Sequence, residues 1–240
     1  KQNKQVLLVE KNEYPKHKVC GEYISNEVLP YLNSLGIHPI NYGAKKITKV
    51  HISTTKSNLI KGELPLGGFG MSRYFLDDLL VNKARLNGVQ VLKDSVEAIH
   101  FKEDAFTITT KNAKVFQSKV VVGAFGKRSS LDKKMNRKFF QKKSPYLAVK
   151  IHVEGVFPED LVALHNFEGG YCGVSKVENN AINLCYITEY RLFKKHKTIT
   201  DFQNQVVFKN EYLRKLFKET TPIFKQPLSI SQISFQTKTP

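Results

Sequence analysis

The run Val6-Leu7-Leu8-Val9-Glu10-Lys11 sets a carboxylate at the end of a short apolar strand. The second strand of a dinucleotide-binding βαβ unit ends in this way, and its acid accepts hydrogen bonds from the hydroxyls of a ribose. A glycine-rich phosphate loop is expected about 20 residues earlier. The sequence starts at Lys1, only a few residues before the strand. The expectation is a nucleotide-cofactor protein whose phosphate loop precedes Lys1.

Few other residues have a spacing that specifies chemistry. The three cysteines, Cys20, Cys172 and Cys185, are an odd number without a CxxC pair. This argues against a disulfide framework or a zinc site and for a reducing, cytoplasmic compartment. His165, Asn166, Glu168, Tyr171 and Lys176 are polar groups in one later stretch, but none has a partner spacing for acid–base work. His152 and His165 read as structural or surface residues. No His, Asp or Glu cluster has metal-ligand spacing. The small residues of Gly170–Ser175 mark either the close approach of a ligand or backbone, or a plain hairpin.

The formal net charge is +17. Part of it gathers in Lys127, Arg128, Lys133, Lys134, Arg137, Lys138, Lys142 and Lys143, and part in Arg191, Lys194, Lys195, His196 and Lys197. Such groups suit an acidic carrier protein, an anionic membrane surface, or plain solvation. No zinc-finger, RNP or helix-turn-helix pattern accompanies them, which sets nucleic acid aside. With 240 residues, 41% hydrophobic content and 16 Phe, the chain can bury a core of one or two domains. No apolar stretch is long enough for a transmembrane helix.

The elements that must position these residues follow from periodicity. Strand patterns cover Val6–Glu10, Ile47–Thr54, Asn58–Leu66, Val89–Leu92, Val96–Phe101, Ala105–Thr110 and Val115–Val122. Helical patterns cover Ser25–Leu35, stopped by Gly36, and Ser72–Asn87, stopped by Gly88. The second has Phe75, Leu76, Leu79, Leu80 and Leu86 as its apolar stripe, after a loop containing Pro65, Gly67, Gly68 and Gly70. From Tyr146 the pattern becomes an antiparallel sheet: Tyr146–Val153, Leu161–Asn166, Tyr171–Val177 and Ala181–Thr188. One helix over Ile199–Lys218 and a strand over Leu228–Phe235 complete the chain, and the fold class is α/β.

Four local patterns lie on this order of elements: Val6–Glu10; Pro15-Lys16-His17-Lys18-Val19-Cys20-Gly21-Glu22; Gly70-Met71-Ser72-Arg73-Tyr74-Phe75-Leu76-Asp77; and Val122-Gly123-Ala124-Phe125-Gly126-Lys127-Arg128-Ser129. Together they resemble the flavin-dependent oxidoreductases of the p-hydroxybenzoate hydroxylase fold, within them the geranylgeranyl-reductase-like and tryptophan-halogenase-like branch. The resemblance implies a partial FAD-binding, Rossmann-like domain over residues 1–45 and 70–143. It implies an antiparallel-sheet substrate domain over 46–69 and 144–240. Glu10 and Lys11 would meet the adenosine ribose. Lys18, Cys20 and Gly21 would run past the flavin, with Cys20 as the candidate catalytic group. Arg73 would reach phosphate or ribityl oxygens, and Gly123, Gly126 and Ser129 would form a turn beside the cofactor. Tyr171, Gly173 and Ser175 would line the substrate layer.

The sequence departs from the family in two places. Phe125 stands where the family carries Asp, which leaves NAD(P)H open as electron donor. There is no Trp, unlike the halogenases and isoprenoid reductases at the Gly169–Lys176 stretch. The Gly-x-Gly-x-x-Gly loop would precede Lys1, and the Gly-Asp segment would follow Pro240. The implied activity is a reductase or monooxygenase acting on a hydrophobic isoprenoid or aromatic, polyketide-type substrate. The alternative is a non-catalytic relative that binds an acidic carrier or anionic lipid through the Lys127–Lys143 stretch.

Overall fold

The computed structural model describes residues 4–126, 129–137, 144–233 and 237. In chain order the first strands are β1 (Leu7–Glu10), β2 (Tyr23–Ser25), β3 (Lys45–Ser53), β4 (Leu59–Gly70) and β5 (Gln90–Lys93). There follow β6 (Val96–Lys102), β7 (Ala105–Thr110), β8 (Val115–Ser118), β9 (Tyr146–Glu154) and β10 (Leu161–Phe167). The last are β11 (Gly170–Lys176), β12 (Ile182–Glu189), β13 (Thr221–Pro222) and β14 (Leu228–Ile233). The α-helices are α1 (Leu29–Ser34), α2 (Arg73–Leu86), α3 (Ser130–Lys134), α4 (Tyr190–Phe193), α5 (Ile199–Gln205) and α6 (Glu211–Glu219).

Two compact units divide the chain. One comprises Lys1–Lys16, Tyr74–Ser144 and Ser234–Pro240, the other His17–Arg73 and Pro145–Ile233. Residues 17–45 therefore lie with the large sheet, whereas the sequence expectation grouped them with the nucleotide part.

In the first unit β1 and β5 pair in parallel, from Leu7 opposite Gln90 to Glu10 opposite Lys93. The three strands β6, β7 and β8 form the expected antiparallel meander. The apolar run Lys119–Val122 does not continue β8 as expected. Ser118 accepts from Val120 N at 3.3 Å and donates to Val120 O at 2.7 Å. This local side-chain turn competes with strand pairing, and Val120 and Val122 are exposed. In α2 the buried positions are Asp77 and Val81, and Leu86, expected on the apolar stripe, is exposed at the helix end.

The second unit is built on a sheet ordered β13-β9-β12-β11-β10-β3-β4-β2, with β14 also on β9. Its pairs are antiparallel except β3 with β10. Alternation sends Leu147, Val149, Ile151 and Val153 of β9 to one face, with Cys172, Val174, Ile182, Leu184 and Tyr186. There they pack against Phe202, Val206, Val207 and Leu213 of the helical layer. The opposite face carries Ala148, Lys150 and His152 of the same strand, all buried, and is open at its β4 end, at Ile52 and Ile60.

Three local expectations change in this unit. The glycine-containing loop before α2 is strand through Gly70. A Cβ on Gly68 would fall 2.5 Å from the Tyr23 ring, and one on Gly70 would fall inside contact distance of Lys176 O. These glycines let backbones approach closely within a sheet. The Ser25–Leu35 helix begins as a 3₁₀ turn, Asn26–Val28, and continues as α1 with Pro30 in its first turn. The Ile199–Lys218 helix is two helices separated at Asn210. That side chain caps α6 by accepting from Tyr212 N and Leu213 N. It also donates to Ser53 Oγ at 2.8 Å, Asn166 O at 3.0 Å and Thr54 O at 3.2 Å.

Ser53 Oγ accepts from Asn210 and lies 2.9 Å from His165 Nδ1, a bond whose donor is set by the imidazole tautomer. His165 stacks on Tyr212 with ring centroids 5.2 Å apart. It is buried toward the helical layer, in keeping with the structural reading of this histidine.

Two predictions follow from this network. Asn210→Ala removes a helix cap and the amide that serves Ser53, Asn166 and Thr54, and should lower stability by about 3 kcal/mol in urea unfolding. An unchanged midpoint would show the network to be dispensable. Burial, and then the His51 charge, hold His165 down at about 4 against an ordinary 6.5. Between these values the unfolded chain binds the extra proton, so stability is full above about pH 6.5 and falls toward pH 4. His165→Gln should flatten that part of a stability-against-pH curve, and an identical slope in the variant would refute the assignment.

Candidate functional site

The face of the large sheet opposite the helices carries a buried polar corner, and the 17–22 segment crosses it. Lys150 Nζ donates to Lys18 O at 3.1 Å and to Glu22 Oε1. His152 Nε2 meets Glu22 Oε2 at 2.6 Å. Asn183 Nδ2 donates to Gly21 O at 2.8 Å and Cys20 O at 3.2 Å. Behind them the His17 ring meets His152 edge-on at 5.3 Å and tilts against Phe224 at 4.5 Å.

Glu22 is 1% exposed and sits at φ +56°, a left-handed conformation uncommon outside glycine. Its carboxylate also accepts from Arg73 N at 2.7 Å, and its carbonyl accepts from Met71 N at 3.1 Å. A second buried carboxylate, Glu178, accepts from Ser72 N at 2.8 Å and from Ser72 Oγ. Two acids remote in sequence thus hold the segment that opens α2. Burial alone would push the Glu22 carboxyl up, but the His152 hydrogen bond and the Lys150 charge outweigh it and hold it below the usual carboxylate range. Burial, with the charges of His152 and Lys150, pushes the His17 imidazole down. The Cys185 thiol is pushed up to about 12 by burial and by nearby Cys20, so it stays protonated at neutral pH.

Strand register extends this corner into two rows across β4, β3, β10, β11, β12 and β9. One row reads Ile60, Ile52, Leu164, Gly173, Cys185 and Lys150; the other reads Gly62, Val50, Val162, Ser175, Asn183 and His152. Each row is apolar at the β4 end and polar at the β9 end. Ile60 is 67% and Ile52 40% exposed, so the apolar end is open. Ser175 Oγ and Asn183 Oδ1 are buried cross-strand neighbours with no hydrogen-bond partner among the described residues.

The singled-out residues fall as follows. In the large-sheet unit, Tyr171, Gly173 and Ser175 share the open face, with Tyr171 exposed and Ser175 buried. The close backbone approach expected in that stretch lies at Gly170, where a Cβ would collide with Ile187 O. At Gly173 a Cβ would meet only Cys185 O at 3.7 Å and Leu164 Cδ2 at 3.8 Å. Lys18, Cys20, Gly21 and Arg73 come together in the anchored segments; Cys20 is half-buried, with its sulfur 3.5 Å from Glu22 N. In the other unit, Glu10 Oε1 accepts from Asn12 N and Nδ2 at 2.9 and 2.8 Å, and Lys11 is exposed beside it. The Phe125 ring lies against Gly123, Gly126 takes φ +70°, and Ser129 caps α3 by accepting from Leu131 N at 3.2 Å. Lys127 and Arg128 lie outside the described residues.

Sequence reading assigned no role to Lys150, Asn183 or Glu178, and none to Glu22 beyond its motif. A signal was present in Leu147-Ala148-Val149-Lys150-Ile151-His152-Val153, where two polar side chains share one parity of an otherwise apolar strand. A separate cleft of about 570 Å³ at Lys45, Glu159 and Asp160 contains none of the singled-out residues. No helix among the described residues is long and apolar enough to cross a membrane.

No family model matches the sequence, and no curated protein matches it. Solved structures do match in fold. The flavin-dependent brominase Bmp2 superposes with a TM-score of 0.76 at 19% identity, over 95% of this chain and 61% of its own. The halogenase PltM, in complex with phloroglucinol and FAD, gives 0.78 at 14% identity, over 95% and 55%. A flavoprotein/dehydrogenase from Cytophaga hutchinsonii gives 0.77 at 16% identity, over 94% and 60%. The chain spans about six tenths or less of the length of these proteins. The α/β fold expected from the sequence is therefore the one found, and it is the fold of flavin-dependent halogenases and of a flavoprotein dehydrogenase.

Proposed function

We propose that the full-length protein is an FAD-dependent oxidoreductase, a reductase or monooxygenase, acting on a hydrophobic substrate. The observation that carries this reading is the open sheet face, where an apolar floor runs into a polar corner roofed by Lys18–Gly21. The residues fit a dinucleotide by their chemistry. Glu10 keeps an oxygen, Oε2, whose contact with the Tyr14 hydroxyl is a long 3.4 Å, able to yield to a ribose hydroxyl. A Cβ on Gly21 would find no atom within 4 Å, which leaves its backbone approachable. Lys18 and Arg73, both in the large-sheet unit, supply cations for phosphate. Gly123, Gly126 and Ser129 supply a turn, as the family resemblance implies.

When bound, the flavin supplies the two-electron redox chemistry. The protein's own residues position and exclude. Lys18 offers positive charge toward a reduced, anionic ring. Tyr171, exposed on the same face, offers its hydroxyl to a polar end of the substrate. Ile60, Ile52 and Leu164 receive its apolar part over two strand spacings, roughly 10 Å. A hydrophobic isoprenoid or aromatic, polyketide-type compound suits such a floor. Three free cysteines suit a cytoplasmic setting.

The alternative, binding of an acidic carrier or anionic lipid through Lys127–Lys143, draws on charge. In that stretch Arg137 already pairs with Asp132 at 3.3 Å and Lys134 with Glu97 at 3.8 Å. Lys127, Arg128, Lys138, Lys142 and Lys143 of that stretch lie outside the described residues.

The purified full-length protein is expected to show a flavin absorption spectrum or to bind added FAD saturably. A folded protein doing neither overturns the proposal. Glu10→Ala should weaken FAD binding about tenfold through loss of the ribose contact. Gly173→Leu should raise KM for a bulky substrate and leave FAD affinity intact, because the new side chain stands in the middle of the apolar row. Equal loss of FAD binding would mean that Gly173 does not serve the substrate floor.

A further inference from the structure

A buried ion pair clamps both feet of a short arch. Lys150 Nζ bonds Lys18 O at one foot and Glu22 Oε1 at the other. Between them Val19, Cys20 and Gly21 rise from the sheet, and Gly21 at the crest is exposed. Asn183 holds the underside through Cys20 O and Gly21 O. The same Glu22 carboxylate reaches the Arg73 backbone N–H. One acid therefore ties together the arch, strand β9 and the start of α2.

We propose that Glu22 is a positioning residue, set against Lys150, that fixes the Lys18–Gly21 arch and the Arg73 backbone at one spacing for the flavin. The inference rests on the functional reading above.

Stability alone is a poor reason for such a cluster. A buried ion pair is often replaced by apolar side chains of similar size without loss, since desolvation offsets its attraction. Glu22 also holds a left-handed backbone that its residue type disfavours. Strain of this kind persists where the surroundings over-determine a conformation, and it clusters at binding sites. The three donors on Glu22 come from β9 twice and from the opening of α2, so any change in its length or charge moves two segments at once. Those two segments carry Lys18, Cys20, Gly21 and Arg73. His152 completes the charge set around the carboxylate, at 2.6 Å, and no group of three metal-ligating side chains lies among the described residues. The acid is thus built to hold protein atoms.

The test uses the full-length protein, FAD titrated by fluorescence quenching, the visible circular dichroism of the bound flavin, and the melting temperature without cofactor. Glu22→Gln and Lys150→Met each leave a partner unpaired and should lower both melting temperature and FAD affinity. The double variant Glu22→Gln/Lys150→Met removes the mismatch. It should melt close to the wild type yet bind FAD about tenfold or more weakly, with an altered flavin dichroism. A folded double variant with wild-type affinity and dichroism overturns the inference. Should the double variant not fold, Glu22→Asp decides, because it keeps the charge and shortens the arm by one methylene. A several-fold weaker FAD affinity in that variant supports positioning, and an unchanged affinity refutes it. A wild-type protein that binds no FAD overturns the functional reading itself, and this inference with it.

Discussion

A carboxylate out of water must find its compensation in the protein, and Glu22 finds it in Lys150 and His152. That need sets the register of the central sheet. Side chains alternate along a strand, so Lys150 and His152 reach Glu22 only if Leu147, Val149, Ile151 and Val153 face the helices. A slip of one residue would drive an ammonium and an imidazole into the Phe202–Leu213 layer and turn four apolar side chains away from it. Burial of the apolar face and pairing of the charged face thus select the same register, and each guards the other.

The two faces of the sheet use polar groups for different ends. On the helical side Ser53, His165, Asn166 and Asn210 close on one another and on the α6 terminus. On the open side bonds are made across segments that bear the candidate cofactor contacts, and Ser175 and Asn183 keep atoms unsatisfied. Buried polar groups in folded proteins are nearly always paired. Ser175 Oγ and Asn183 Oδ1, buried side by side beneath this face, depart from that rule among the described residues.

Strands with clean alternation, such as β9 to β12, were legible in the sequence because period-two patterning is local. They indicated the antiparallel part of the α/β fold, while the family resemblance rested on the four motifs between Val6 and Ser129. The misread places involve competition that local pattern does not reveal. Gly68 and Gly70 resemble loop residues until the Tyr23 ring and the Lys176 carbonyl stand against them. Asn210 looks like an ordinary helical position until Ser53 and Asn166 arrive from other strands. Val120 and Val122 have strand chemistry, but Ser118 turns the chain back on itself first. Glu22 and Lys150 are 128 residues apart, and no spacing rule joins them.

The parallel pair β3–β10 has a consequence for how the protein is made. β3 lies in His17–Arg73 and β10 in Pro145–Ile233, so all of Tyr74–Ser144 must leave the ribosome before β3 meets its partner. Until then β3 presents an unpaired edge beside the exposed Ile52 and Ile60. Closure over so long a stretch is entropically slow, and non-local pairing of this kind lengthens the time an aggregation-prone edge stays open. The first half of the sheet therefore stays open to misassociation until the second half arrives.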